Sequence, residues 1–564
     1  MSHVLPSLPV IKALAAHPPT KTAIVHNASG KTFTYGSLVA DIAKWRAFLG
    51  GFKNPGTGRR IALMGENSYE FVACLLAIVT LENTIAIPLC TSHTAAELTY
   101  QLDDADCALL ITTARFVDKL TPLAGGRDLL VIDQVFPTLP ATETVAVSAP
   151  AVEGSGIILY TSGTSGNPKG VVITAATLLA QSQSLIRAWN IDAADVLLHT
   201  LPLHHIHGIL NALLVPLTVG ATVVFQFPFV APAVLDLLAA TDPAKPVITI
   251  YTAVPTIYAR LATVYRGLPA ERQAEVTAAV SKNLGLAMCG SAALPEPLRD
   301  GWHALSGGHP QLLERYGMTE VGMALSQPRA EADRVSGSVG KPLPGVRARL
   351  VDKDTGDVVY ETVGWESEKF LTPVPTDGDA QLIGEIELAG PTVFTYYWNK
   401  PEPTASSFVT DDAGISWFKT GDIAGVDAAG RFWIKGRESM DIIKSGGEKI
   451  SALEIEREIL SLDGVAECAV VGLPNVEWGQ AVAAVVVPTG TRELTLPTLK
   501  SELRLRLSGY KTPKELKVVE QIPRNQMGKG EWVWRSADRS QQEDAGSAAL
   551  AGAVLIRRFL ILQA

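Results

Sequence analysis

The chain has 564 residues, 47% of them hydrophobic and 19% charged, an ordinary globular composition for two or three domains that excludes a disordered or low-complexity protein. A net charge of -9 with no basic cluster argues against nucleic acid as a partner and leaves small molecules, acting on a monomer or dimer. Cys74, Cys90, Cys107, Cys289 and Cys468 stand singly without metal-binding spacing and read as thiols in a reducing compartment. The opening MSHVLPSLPVIKALAAHPPT has no long apolar core and no arginine, which points to the cytoplasm before mitochondrion or peroxisome, and no apolar run is long enough to span a bilayer.

From Lys21 to Thr113 short apolar runs (TAIVH, RIALMG, TIAIPL) alternate with helical stretches (TYGSLVADIAKWRAFLG, YEFVACLLAIVTLEN), which predicts a parallel sheet with helical crossovers, an α/β fold. After a less regular stretch, IILYTSGTSGNPKG runs from Ile157 to Gly170 as a buried strand feeding a loop. Gly163, Gly166 and Gly170 let backbone N–H groups close on an anion, Thr161, Ser162, Thr164 and Ser165 add hydroxyls, and Lys169 adds charge, so phosphate is the expected guest. Lys169 follows Pro168 and precedes Gly170, which is not the Walker A order. A helix is predicted over 175–188.

In HTLPLHHIHGILNALL the histidines are read as extended, so that of His204, His205 and His207 only the last two converge, toward a substrate pocket and not a metal. VITIYTAVPTIYARL and GLAMCGSAALPEPL each read as a strand and a turn leading toward a helix, and LLERYGMTEVGMA follows. GSVGKPLPGVRARLVD and GEIELAGPTVFTYYWNKPEPT read as strands of a β subdomain, with an exposed insertion between them. Asp422, at a strand end in KTGD, can accept two hydrogen bonds from the vicinal hydroxyls of a ribose, and Arg437 supplies donors to the same region. The remainder predicts a small α+β unit ending at PRNQMGKG, with Lys529 on an exposed loop. Beyond Gly530 a polar run, 536–547, reads as a linker, and the apolar end as a small docking helix or an altered terminus.

These strings resemble the adenylate-forming superfamily, which comprises acyl-CoA synthetases, peptide-synthetase adenylation domains and firefly luciferases. Within it, LPLHHIHGILNALL, VPTIYARL, GSAALP, ERYGMTEVGMALS and GSVGKPLPGV most resemble the malonyl-CoA synthetases, over nearly the whole chain to Gly530. The resemblance implies an AMP-binding N-terminal domain at 1–437, built of two parallel-sheet subdomains and a β subdomain. It implies a small mobile α+β lid at 438–535, hinged at Ser439 or Met440 and alternating between half-reactions, and a tail at 536–564.

The resemblance also implies roles. Thr161, Ser162, Gly163, Thr164, Gly166 and Lys169 would cradle phosphate. Ser291 and Ala292 would border nucleotide and acid, Tyr316 would flank adenine with Arg315 and Gly317 beside it, and Thr319 would contact phosphate. Glu320 would hold Mg²⁺ on ATP, Asp422 and Arg437 would bind ribose, and Lys529 would be catalytic. His205 would gate the acyl pocket, and Arg260, Ser291 and His207 would meet the second charge of a dicarboxylate. The implied activity uses ATP, Mg²⁺ and CoA to adenylate malonate or methylmalonate and pass the acyl group to CoA, releasing AMP and pyrophosphate. A short- or medium-chain monocarboxylate or oxalate is the alternative acid, and a carrier-loading adenylation domain or a nucleotide binder without turnover is the rival class. Glu448 departs from the family, whose members often carry an aromatic residue there.

Overall fold

The computed structural model describes residues 2–522, except 53–58, 143, 151, 162–167, 241–244, 293, 365–366, 374–380, 438–440, 446–447, 476–477 and 491–493, together with 533–534 and 555–556. The chain divides into two compact units. The first is Met1–Ser291, Asp300–Thr420 and Gly425–Trp433; the second is Ala292–Arg299, Gly421–Ala424 and Ile434–Ala564.

The first unit holds two large mixed sheets and a β sheet. In the seven-stranded sheet, Thr84–Pro88, Arg59–Met64, Leu109–Thr112 and Asp128–Val131 run parallel, and Gly156–Thr161 joins them alongside Thr84–Pro88. Ile61, Ala62, Leu63, Ile85, Ala86 and Ile87 are buried on both faces, as strands covered by crossover helices must be. The helix Tyr69–Val79 is buried almost all round, and the Ser68 hydroxyl caps it by accepting from the Phe71 N–H at 3.2 Å. The sheet then turns antiparallel: Lys169–Thr174 pairs with Gly156–Thr161, and Tyr396–Tyr397 pairs with Lys169–Thr174 at the edge.

The nine-stranded sheet carries Thr22–His26, Thr222–Phe225, Val196–His199, Ile250–Ala253, Leu286–Cys289 and Leu312–Met318 in parallel. It is bordered on one side by the antiparallel strand Lys31–Thr34 and on the other by Gly322–Ser326 and then Lys341–Pro342, also antiparallel. Its strand Leu286–Cys289 ends at Gly290, and its parallel neighbour Leu312–Met318 carries Arg315. The third sheet is antiparallel, built on Arg347–Val351, Val358–Val363, Leu382–Ala389 and Ser416–Val426.

Three local expectations change. The stretch expected to be an exposed insertion, 361–381, enters the third sheet at its start: residues 361–363 end the strand Val358–Val363 and Ser367–Phe370 pairs with it, because Phe370 packs across the strands on the buried Tyr360 just before the insertion. Asp422 lies inside the strand Ser416–Val426 and not at its end; Gly421, at φ +73°, supplies the local irregularity that the sequence suggests as a terminus. The histidine stretch is not extended. The chain turns after Pro202, the His204 and His205 rings lie 4.3 Å apart, and His207–Leu214 is a π-helix. A Cβ at Gly208 would fall 2.1 Å from the Pro202 carbonyl oxygen, so the turn closes only over glycine.

In the second unit Val465–Asn475 and Gly479–Pro488 form a long hairpin, joined by Ile442–Ser445, Glu448–Ser451 and the parallel strand Glu515–Val518. The helices Ala452–Leu460 and Leu496–Leu503 pack Ile455, Ile459, Leu499 and Leu503 with Ile443, Ile450 and Val482. Further on, Leu555–Ile556 pairs antiparallel with Val533–Trp534, and the rest of the tail, on which the expectation of a docking helix or an altered terminus falls, lies outside the described residues. The family-scale expectation holds: this is an α/β protein with a large N-terminal part and a small α+β C-terminal part.

Candidate active site

The glycine- and hydroxyl-rich loop is held at both ends by a hairpin. Thr161 closes one strand and Lys169 opens the next, the two are cross-strand partners, and the Thr161 hydroxyl donates to the Lys169 carbonyl at 3.4 Å. Ser162, Gly163, Thr164 and Gly166 lie outside the described residues. Gly170 is closely packed: a Cβ there would stand 2.9 Å from Ile158 and 3.2 Å from Tyr160. The helix Ala175–Trp189 begins only after the six-residue strand Lys169–Thr174, so its N-terminus stands at the far end of that strand from the loop.

Lys169 Nζ sits 4.9 Å from the centroid of the Tyr397 ring, a cation–π contact. The Tyr397 hydroxyl donates to Glu320 Oε1 at 3.0 Å, and Glu320 is only 7% exposed. Thr319 and Glu320 form the turn of the hairpin between Leu312–Met318 and Gly322–Ser326. Gly317 allows that hairpin to close, since a Cβ there would lie 2.0 Å from the Gly322 carbonyl oxygen. Tyr316 is half-buried on the same strand.

A magnesium ion on a nucleotide keeps waters and phosphate oxygens and needs only one or two carboxylates. Among the described residues no three His, Cys, Asp or Glu side chains group into a metal cage, and one buried carboxylate near a lysine fits such a nucleotide-borne ion.

Arg315 points elsewhere. Its Nη2 donates to His207 Nε2 at 2.5 Å, and Thr252 Oγ1 lies 2.7 Å from the same nitrogen. Arg315 is 4% exposed and His207 5%. Burial brings the guanidinium down to about 10. Burial, then the arginine charge, holds His207 well below the ordinary histidine range, so the imidazole is neutral. A guanidinium only donates, so Nε2 accepts and the imidazole proton sits on Nδ1. Both His207 Nδ1 and Arg315 Nε are buried without a hydrogen-bond partner among the described residues. Gly290 makes room for the guanidinium: a Cβ there would fall 2.2 Å from Arg315 Nη1. The next residue, Ser291, is exposed at φ +71°, and Ala292 is exposed after it.

The expected trio of Arg260, Ser291 and His207 is not joined by any contact among the described residues. On the helix Pro255–Arg266 the residues Tyr258, Leu261, Ala262 and Tyr265 take the buried face, so Arg260 emerges on the other, beside a surface depression lined by Phe229, Ala259 and Thr263. His205 is half-buried against His204. In the second unit Arg437 Nε donates to Asp422 Oδ1 at 2.8 Å, and the Arg437 backbone N–H donates to Asp441 Oδ2 at 2.8 Å. The proposed hinge, Ser439 or Met440, and Lys529 lie outside the described residues.

Residues 11–398 match the family model described as AMP-binding enzyme, and residues 454–529 match that of the AMP-binding enzyme C-terminal domain. The chain belongs to the AMP-binding enzyme family. Among relatives of this AMP-binding enzyme, a "CoA ligase" of Gibberella moniliformis is 42% identical over 94% of each chain. The mitochondrial malonate–CoA ligase ACSF3 of Mus musculus is 41% identical over 83% of this chain and 80% of its own. The ATP-bound crystal structure of MatB from Rhodopseudomonas palustris superposes with a TM-score of 0.77 at 32% identity, covering 93% of this chain and 97% of that one.

Two site residues escaped the sequence reading. Tyr397 lies in TYYWN, where an aromatic run before Trp398 reads only as strand. Thr252 is an inward position of a buried strand and carries no signal of its own.

Proposed function

We propose that this AMP-binding enzyme is an acid–CoA ligase that uses ATP to adenylate malonate, and methylmalonate as a larger homologue, and passes the acyl group to CoA with release of AMP and pyrophosphate. The observation that carries the choice of acid is the buried Arg315. It forms no ion pair among the described residues, and a buried cation without an anion costs several kcal/mol. The non-reacting carboxylate of a dicarboxylate supplies that anion, with His207 Nδ1–H as a further donor. A fatty acid would leave the charge uncompensated. The kinship with a malonate–CoA ligase supports the same acid.

The reacting carboxylate attacks the α-phosphorus of ATP, and pyrophosphate leaves. Mg²⁺, when bound, neutralises phosphate charge; Glu320 would hold it. Lys169 brings a second cation to the same end of the site, and Lys529, catalytic by the family resemblance, would face the nucleotide as a third. The acyl-adenylate carbonyl then meets the CoA thiolate, and AMP departs. Asp422 and Arg437 are assigned to the ribose, Thr161 to phosphate, and Ser291, Ala292, Tyr316, Gly317 and Thr319 to the nucleotide surroundings. None of the five cysteines forms a disulfide among the described residues, which suits a reducing compartment such as the cytoplasm.

The test is AMP release with ATP, Mg²⁺ and CoA across malonate, methylmalonate, oxalate, acetate and octanoate, for the wild type, Arg315→Met and Arg260→Ala. Malonate turnover that collapses in Arg315→Met and survives in Arg260→Ala supports the assignment. Octanoate turnover untouched by either variant overturns the dicarboxylate reading.

A further inference from the structure

Tyr397 stands between the two charges assigned to Mg·ATP. Its ring face carries Lys169 Nζ and its hydroxyl donates to Glu320 Oε1, while the residue itself is 6% exposed. The backbone fixes it from three directions. Trp398 N–H donates to the Gly170 carbonyl at 2.8 Å, Phe394 N–H to the Glu320 carbonyl at 2.7 Å, and Tyr397 N–H to the Thr404 hydroxyl oxygen at 3.0 Å. One short segment therefore ties the strand leaving the phosphate loop to the turn bearing the acidic residue.

A tyrosine suits two opposite charges. Its ring face is electronegative and attracts a cation, while its hydroxyl hydrogen binds an anion. Lys169 and Glu320 make no ion pair with each other among the described residues. With the phenol removed, a flexible lysine beside a buried carboxylate has a direct ion pair open to it, which would turn both charges away from the nucleotide. We propose that Tyr397 is a positioning residue that holds the Glu320 carboxylate and the Lys169 ammonium apart on one side chain, so that each addresses Mg·ATP and not the other. The proposal rests on the assignment of Glu320 and Lys169 to Mg·ATP made above.

The experiment uses the full chain with Tyr397→Phe, which keeps the ring and loses the hydroxyl, and Tyr397→Leu, which loses both. Glu320→Gln serves as reference, and Tyr396→Phe, at an exposed neighbour (37%), as control. The readout is Mn²⁺ uptake by the protein–ATP complex, followed by electron paramagnetic resonance without acid or CoA, with ATP binding measured separately without metal. Tyr397→Phe is expected to weaken Mn²⁺ uptake about tenfold, the scale of one lost hydrogen bond to a charged group, and to leave metal-free ATP binding unchanged. In turnover, its half-saturating Mg²⁺ rises and saturating Mg²⁺ restores kcat. Tyr397→Leu should also weaken metal-free ATP binding several-fold, as Lys169 loses its support.

Wild-type metal uptake in Tyr397→Phe, a kcat loss that saturating Mg²⁺ does not restore, or an equal effect in Tyr396→Phe overturns the inference. If Glu320→Gln loses the metal while Tyr397→Phe does not, only this inference fails. If Glu320→Gln also binds Mn²⁺ like the wild type, the assignment of Glu320 fails with it.

Discussion

The Arg315 guanidinium donates to the imidazole of His207 across 2.5 Å, with both side chains buried. A cation resting on a neutral ring, with no carboxylate in contact among the described residues, is an unbalanced arrangement that an anionic ligand would complete.

Its pH dependence has a definite sign. His207 is held well below, and burial puts His199 at about 4. Below the ordinary histidine value of about 6.5 the unfolded imidazoles take protons that the folded ones refuse, so stability is full above about 6.5 and is lost as pH falls below it. Each such histidine contributes a slope of about 1.4 kcal/mol per pH unit while its folded form stays neutral. Melting temperatures measured from pH 8 to pH 5 should drop on the acid side, and His207→Phe should flatten that drop.

Gly290→Ala should displace Arg315, because the new Cβ would lie 2.2 Å from Nη1. The expected outcome is a loss of about 1–3 kcal/mol in stability and at least a tenfold rise in KM for malonate. Chemical denaturation and steady-state kinetics on the same preparation check both.

Lys529→Ala should slow adenylation by about a hundredfold or more, roughly 3 kcal/mol, as removal of one transition-state contact does. Thioester formation from supplied malonyl-adenylate and CoA should be retained. Pyrophosphate release and CoA consumption, followed separately, distinguish the two steps.

Gly208→Ala should destabilise the fold by more than an ordinary overpacking change, since its Cβ would stand 2.1 Å from the Pro202 backbone oxygen and no side-chain rotation relieves that contact. Soluble yield and melting temperature, compared with Gly30→Ala, where no atom lies within 4 Å but φ is +68°, separate the clash from the cost of a left-handed backbone.

The sequence by itself determined the α/β class, the order of the parts and the strings that carry the family. Alternating apolar runs and amphipathic stretches are local patterns, and they matched strands such as Arg59–Met64 and helices such as Tyr35–Gly50 closely. It also singled out Lys169 by the loop around it, and Glu320, Arg315 and His207 through the family resemblance of their strings. The tertiary structure decided which of them meet. Arg315 and His207 are 108 positions apart and meet only in the fold, which brings a strand of the nine-stranded sheet against the start of the π-helix. Arg260 faces outward because Tyr258, Leu261 and Tyr265 claim the buried side of its helix. The π-helix at His207–Leu214 was invisible because an apolar run buried on every side has no periodicity to read. Tyr397 was hidden because its value lies in two long-range contacts, one through the ring face and one through the hydroxyl, and neither leaves a trace in the residues beside it.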